Sequence, residues 1–259
     1  MKMHEKITLF NFVNAYTYQD FYKNEIYEWL NFTDLKGVNG YCDEEGLRAI
    51  KERLMHHEGT RINYIDSGNY HYITYLLMAR IKEPFTLVLF DHHTDMQPSL
   101  FENLMSCGCW VKRALDDNPF LKEVIIIGVA DQLIKEIPKA YQSKVVAYGE
   151  TMLKGHPNWE TFAKKYIHYN VYVSVDKDVI DGEEVCTNWD QGILTLKELG
   201  EIYECIVKNH KILGVDICGE YAPNVEQITK TAQLLNNAAN GQILELIEEV
   251  AITNEDKNV

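Results

Sequence analysis

FTLVLFDHHTDMQPSLFEN, residues 85–103, decides how the rest of the chain is read. An apolar run ends without a break in Asp91, His92 and His93, and Asp95 follows after Thr94. The run is short, rich in Val, Leu and Phe and bounded by polar residues, so it reads as a buried strand. Burying unpaired charge is expensive. Four ionisable groups at one strand tip therefore need a physical reason.

The same sentence repeats along the chain. RINYID precedes HYITYLLMARI; FTLVLFD precedes a loop and CWVKRALDD; VIIIGVA precedes DQLIKEIPKAY; KVVAYG precedes NWETFAKKY. Then VYVSVDKD precedes LTLKELGEIYECIVKN, and ILGVDICGE precedes TAQLLNNAANGQILELIEEV. Upstream, ITLFNFV is strand-like, residues 14–42 are rich in Tyr, Phe and Asn, and DEEGLRAIKERLMHH is helical in character. Short Val/Ile-rich strands spaced by amphipathic helices predict a mostly parallel sheet covered on both faces. With no linker or internal repeat, residues 1–259 are expected to form a single three-layer α/β/α domain with about seven or eight strands.

Such sheets gather ligands outside the carboxyl ends of their strands. Three strands here run into acid at that edge: LVLF into Asp91, His93 and Asp95; VYVSV into Asp176 and Asp178; ILGV into Asp216 and then Glu220. An extended strand exit would point Asp91, His93 and Asp95 to one side, with His92 and Thr94 facing away. Carboxylates gathered at one site repel unless a cation sits among them. Two divalent ions would balance Asp91, Asp95, Asp176 and Asp178. An oxygen-rich donor set with a minority of imidazole suits manganese better than zinc. Two such ions draw the pKa of a shared water toward neutrality, so the expected reaction is hydrolysis. D-x-H-x-D arises by chance only about 0.03 times in a chain of this composition, whereas D-x-D arises about once, so the first motif carries most of the weight.

These motifs resemble those of the ureohydrolases, the arginase and agmatinase superfamily. FDHHTD is similar to their D-A-H-x-D, SVDKDVID to S-x-D-x-D-x-x-D, SGNYH to G-G-D-H, and VDICGEYAP to D-I-x-E-V-N-P, over roughly residues 60–225. The resemblance implies an arginase-like fold and two manganese ions. One would be held by His71, Asp91, Asp95 and Asp176, the other by Asp91, His93, Asp176 and Asp178, with a bridging hydroxide attacking a guanidino carbon. It implies that Glu220 meets the substrate's cationic group, that the substrate is a small, arginine- or agmatine-like molecule, and that copies of the chain associate as homo-oligomers.

The sequence departs from the family pattern at several points. GGDH becomes Gly68-Asn69-Tyr70-His71, DICGE is one residue longer than D-I-x-E, and TNWDQG brings Trp189 and Asp190 to the segment lining the guanidinium pocket. The histidine that shuttles protons in the family is missing from ENLMSCGCWVKRAL; Cys107, Ser106 or Cys109 occupies its neighbourhood, and Cys107 is taken as the candidate proton carrier. Two alternatives follow. One is a mononuclear zinc amidohydrolase similar to the histone deacetylases, needing a single Zn²⁺. The other is a non-catalytic metal- or ligand-binding member of the family.

The formal net charge of −14 argues against nucleic acid and against an anionic membrane as partners. No stretch approaches the roughly 18 apolar residues needed to span a bilayer. The first residues lack a long hydrophobic region with a small-residue cleavage site, and the six cysteines show no disulfide spacing. Reduced thiols in a cytoplasmic protein are expected.

Overall fold

A strand covered on both faces must be apolar at every position, and all six residues of 85–90 are buried. Leu87 and Leu89 enter one core, Val88 and Phe90 the other. The computed structural model describes residues 5–99, 101, 104–155, 157–222 and 230–255. In chain order the elements begin with β1 (Ile7–Asn11), β2 (Tyr27–Asn31), β3 (Tyr41–Cys42), α1 (Glu44–Met55), β4 (Ile62–Tyr64), α2 (Ile73–Met78) and β5 (Phe85–Phe90). They continue with β6 (Met105–Ser106), α3 (Trp110–Asp117), β7 (Leu121–Val129), α4 (Asp131–Ile134), β8 (Val145–Gly149), α5 (Glu150–Lys154) and α6 (Trp159–Tyr166). The last are β9 (Asn170–Asp176), α7 (Leu196–Asn209), β10 (Ile212–Cys218) and α8 (Lys230–Glu255).

Eight strands pair in the order β2-β1-β4-β10-β9-β5-β7-β8, every pairing parallel, while β3 and β6 form a separate antiparallel pair. Helices cover both faces, giving the expected three layers. α7 starts on a capping box, with Thr195 accepting from the Glu198 amide and the Glu198 carboxylate accepting from Thr195. It buries Leu199, Ile202, Tyr203 and Ile206, the spacing of one helical face. β2 lies within the stretch that sequence patterning left unassigned. As the edge strand, YEWLN is half-exposed and carries no apolar run.

Register brings three strand tips level. Phe90 pairs with Val175, so Asp91 leaves β5 beside Asp176 at the end of β9, and Cys218 of β10 pairs directly with Asp176. Gly219 turns the chain just past β10 with φ of +92°, and a Cβ there would stand 2.4 Å from an Asp176 oxygen. Only glycine combines that backbone with that clearance.

Candidate metal centre

His71, Asp91, Asp95 and Asp176 converge on one point. His71 Nδ1 lies 3.3 Å from Asp91 Oδ2, 3.2 Å from Asp95 Oδ2 and 3.3 Å from Asp176 Oδ2. An octahedral divalent ion with bonds of about 2.1 Å holds neighbouring ligand atoms about 3.0 Å apart, close to this spacing. Beside it, His93 Nδ1 lies 2.9 Å from Asp178 Oδ2 and 3.5 Å from Asp91 Oδ1. His71, Asp91 and Asp95 form one grouping of ligand atoms, and Asp91, His93 and Asp178 form another. Asp91 belongs to both.

Backbone amides aim three of these carboxylates. Asp91 Oδ1 accepts from the His93 amide at 2.6 Å, Asp176 Oδ1 from the Asp178 amide at 3.1 Å, and Asp178 Oδ1 from the His92 amide at 3.1 Å. The second oxygen of each is thereby turned inward. The Trp110 indole donates to Asp95 Oδ2. His71 Nε2 meets Ser174 Oγ at 2.9 Å, and Ser174 donates onward to Asp216 Oδ1 at 2.6 Å. Since that hydroxyl proton goes to Asp216, Ser174 accepts from His71 Nε2–H, so Nδ1 is the nitrogen that faces the carboxylates and the one left bare when the ring is neutral. Tyr172 donates to the other Asp216 oxygen at 2.7 Å.

The grouping is reached by a backbone other than the expected one. β5 stops at Phe90, and Asp95 takes a left-handed φ of 50°, so a bent loop rather than a pleat gathers Asp91, His93 and Asp95. His92 is buried and turned to Glu150 and Asp190, away from the centre as expected.

Electrostatics mark a place for positive charge. Burial raises the Asp178 carboxyl, and Asp176 and Asp91 raise it further. Burial and Asp91 push Asp95 up to about 6. Burial opposes a charged His93, but Asp178 and Asp91 outweigh it and push the ring up to about 12. Burial likewise opposes the His71 cation, and Cys218 with Asp176, Asp91 and Asp95 raises it regardless. In turn, burial works against ionised Asp91, while His71 and His93 bring it down to about 2. Protons on the two histidines offset the carboxylates when no metal is present. Asp91 Oδ2 is buried and makes no hydrogen bond among the described residues, the His71 ring standing 3.3 Å away, an expensive condition that a cation relieves. By donor chemistry and by this unpartnered oxygen, the residues fit a pair of divalent ions.

A cavity of ≈ 170 Å³ opens over both groupings and is also lined by Gly68, Thr94, Gln97, Cys107, Leu133 and Trp189. Burial, and next Asp95, push the Cys107 thiol up to about 12, the opposite direction from that of a proton carrier at neutral pH. Glu220 is not among the lining residues. Its carboxylate is buried in an ion pair with Lys177 and accepts from Asn240 Nδ2 at 2.6 Å, Gln19 Nε2 at 2.8 Å and Asn236 Nδ2 at 3.0 Å. The cation that Glu220 meets in this structure is internal, the wholly buried Lys177.

Sequence reasoning passed over Lys177, Gln19, Asn236 and Asn240. The alternating D-K-D was the signal for the first of them, since a lysine between two acids at a buried strand tip needs a carboxylate partner. Cys218 was also passed over. It donates to Asp176 Oδ2 at 3.2 Å and forms a third ligand grouping with His71 and Asp176.

A wholly parallel eight-stranded sheet with this grouping at its carboxyl edge defines the arginase-like class of α/β proteins. Proclavaminate amidino hydrolase from Streptomyces clavuligerus superposes with a TM-score of 0.70 at 14% identity, over 96% of this chain and 94% of that one. The agmatine ureohydrolase of Thermoplasma volcanium gives 0.65 at 16% identity, over 98% and 92%. Formimidoylglutamase from Bacillus subtilis gives 0.65 at 15%, over 96% and 88%. A Thermotoga maritima protein described as uncharacterized is 30% identical over 218 residues, 84% of this chain and 80% of that protein. The Arginase family matches residues 10–243, and the chain belongs to it.

Proposed function

We propose that this protein is a binuclear manganese hydrolase that cleaves a linear C–N bond of a small guanidino compound within the cavity over Asp91. The observation that carries the reading is the shared Asp91, buried between two ligand groupings with one oxygen making no hydrogen bond among the described residues. His71, Asp91, Asp95 and Asp176 would hold one ion; Asp91, His93, Asp176 and Asp178 would hold the other. When bound, such a pair supplies Lewis acidity and lowers the pKa of water toward neutrality. The amidino hydrolase, ureohydrolase and formimidoylglutamase folds support C–N hydrolysis as the reaction class.

The chain's own residues set the rest. The Ser174–Asp216 relay holds His71 in the tautomer that presents Nδ1. Leu133 and the ring of Trp189 wall the cavity and limit water, Thr94 and Gln97 supply polar groups, and among the described residues no lysine or arginine lines it. A cationic substrate is admitted without like-charge repulsion. Because Lys177 neutralises Glu220, orientation of that cation falls to the lining residues, and Cys107 acts as wall rather than proton carrier.

A second reading, a single zinc ion, is favoured by one observation, the nitrogen, oxygen and sulfur atoms of His71, Asp176 and Cys218. Elemental analysis of protein loaded with manganese or zinc separates the two, followed by urea and ammonia release from a panel of guanidines, formimino compounds and amides. Two manganese ions per chain with urea release is the expected result. A single tight zinc ion refutes the binuclear centre. Two ions with release only from amides refutes the guanidino substrate.

A further inference from the structure

We propose that Asp190 is a positioning residue for the second half of the metal centre, holding His93 in the tautomer that turns its Nδ1 lone pair toward Asp91 and Asp178. The inference rests on the binuclear reading above. A metal-ligating histidine is fixed by what its other ring nitrogen donates to, commonly a carboxylate. For His71 that partner is the buried Ser174–Asp216 relay. Among the described residues His93 has no such relay behind it. Its Nδ1 faces the centre, and its Nε2 lies 3.5 Å from Asp190 Oδ1. The other Asp190 oxygen is 4.0 Å from His92 Nε2.

The segment carrying Asp190 is tied to the centre itself. The Gly192 amide donates to the Asp178 carbonyl at 2.7 Å, and a Cβ on Gly192 would come within 2.6 Å of the Val179 carbonyl oxygen. Gln191 Nε2 donates to the Ile180 carbonyl at 3.0 Å and the Val185 carbonyl at 3.1 Å. On the other side, Thr187 Oγ1 donates to the Trp189 carbonyl at 3.0 Å, and the Trp189 indole donates to Asn69 at 3.1 Å. The Trp189 ring then stands edge-on to His93, centroids 5.7 Å apart. Asp190 is thus held between two anchored neighbours, one packing against the His93 ring and the other bonded around the strand end that carries Asp178. Its side chain is 77% exposed, so the solvent-screened pair acts at the weak end of such effects, about tenfold in metal affinity.

Asp190→Ala, Asp190→Asn and Asp190→Glu in the full chain test this, with manganese titration followed by calorimetry and by the electron paramagnetic resonance signature of a coupled pair. Wild-type protein is expected to take two ions. Asp190→Ala should weaken one of the two steps about tenfold and shift the coupled-pair signal to correspondingly higher manganese, leaving the other step and the metal-free melting temperature unchanged. Asp190→Asn, which keeps an acceptor without the charge, should lose less, and Asp190→Glu should recover most of the affinity. Two ions bound by Asp190→Ala with wild-type affinities overturns the positioning role alone, as does equal weakening of both steps. Fewer than two ions on wild-type protein overturns the binuclear centre and the positioning role together.

Discussion

Lys177→Met removes the cation paired with the Glu220 carboxylate, and its cost follows from what remains around that group. In the folded protein Glu220 keeps three amide donors, from Gln19, Asn236 and Asn240. Removing one partner of a buried ion pair costs about 3–5 kcal/mol. Hydrogen bonds to a charged acceptor are worth about 1.5–3 kcal/mol each, so the surviving amides place the loss at the lower end, about 3 kcal/mol. At roughly 2 °C per kcal/mol for a chain of this length, the melting temperature should fall by about 6 °C. The pH dependence supplies a second readout. Burial raises the Glu220 carboxyl, but Lys177 and the amides outweigh it and hold it below its ordinary value. A depressed carboxylate stabilises the fold above its unfolded pKa, and that contribution is lost as pH falls through the folded value. In Lys177→Met burial prevails, so the folded carboxyl titrates above its unfolded value and protonation favours the variant. The deficit is therefore greatest near neutral pH and closes on acidification. Thermal unfolding by circular dichroism from neutral pH to about pH 4.5, close to the ordinary glutamate value, measures both effects. Adding Glu220→Gln should restore part of the loss, since the amide no longer brings an uncompensated charge. A variant that melts within about 1 °C of wild type at neutral pH, below half a kcal/mol, would refute the reasoning. So would a deficit independent of pH.

Metal affinity should rise with pH through the neutral range, because His71 and His93 both hold protons that an ion must displace. Calorimetry in buffers of differing ionisation enthalpy should show proton release on binding, and pH-independent affinity would contradict this. Asp91→Asn should abolish the rise in melting temperature that manganese produces in wild-type protein, which at 100 times the dissociation constant corresponds to about 2.7 kcal/mol. An undiminished rise in differential scanning fluorimetry would show that the ions bind elsewhere. Cys107→Ala should retain turnover to within a few-fold, since burial and Asp95 move the thiol away from neutrality. A loss of about 10²-fold or more, the scale of general acid–base catalysis, would make Cys107 the proton carrier.

Much of the fold was legible because parallel strands covered on both faces announce themselves as continuous apolar runs, as in FTLVLF and VIIIGV. YEWLN did not, since an edge strand half-open to solvent has no reason to be apolar. At the centre, identity and spacing pointed to Asp91, His93, Asp95, Asp176 and Asp178, because acids directly after strands have few structural reasons to cluster. The backbone route escaped the pattern: the left-handed turn at Asp95 is set by tertiary packing, which places the Trp110 indole against its carboxylate. Glu220 shows a different limit. The groups that hold its carboxylate come from the preceding strand tip and from the amides of positions 19, 236 and 240. Groups that far apart in sequence carry no local periodicity by which to be recognised.

The strand order has a consequence for how this protein is made. β10, the last strand among the described residues, lies in the middle of the sheet and joins β2-β1-β4 to β9-β5-β7-β8. Until residues 212–218 have left the ribosome, no strand is available to ladder the two sets together. His71 travels with the first half, whereas Asp91, His93, Asp95, Asp176 and Asp178 travel with the second. Neither half alone carries a complete set of ligands. Pairing that spans so much of the chain is slow to form, so closure of the seam comes late in folding. An ion held between His71 and the aspartates, as proposed above, would work as a rivet across that seam.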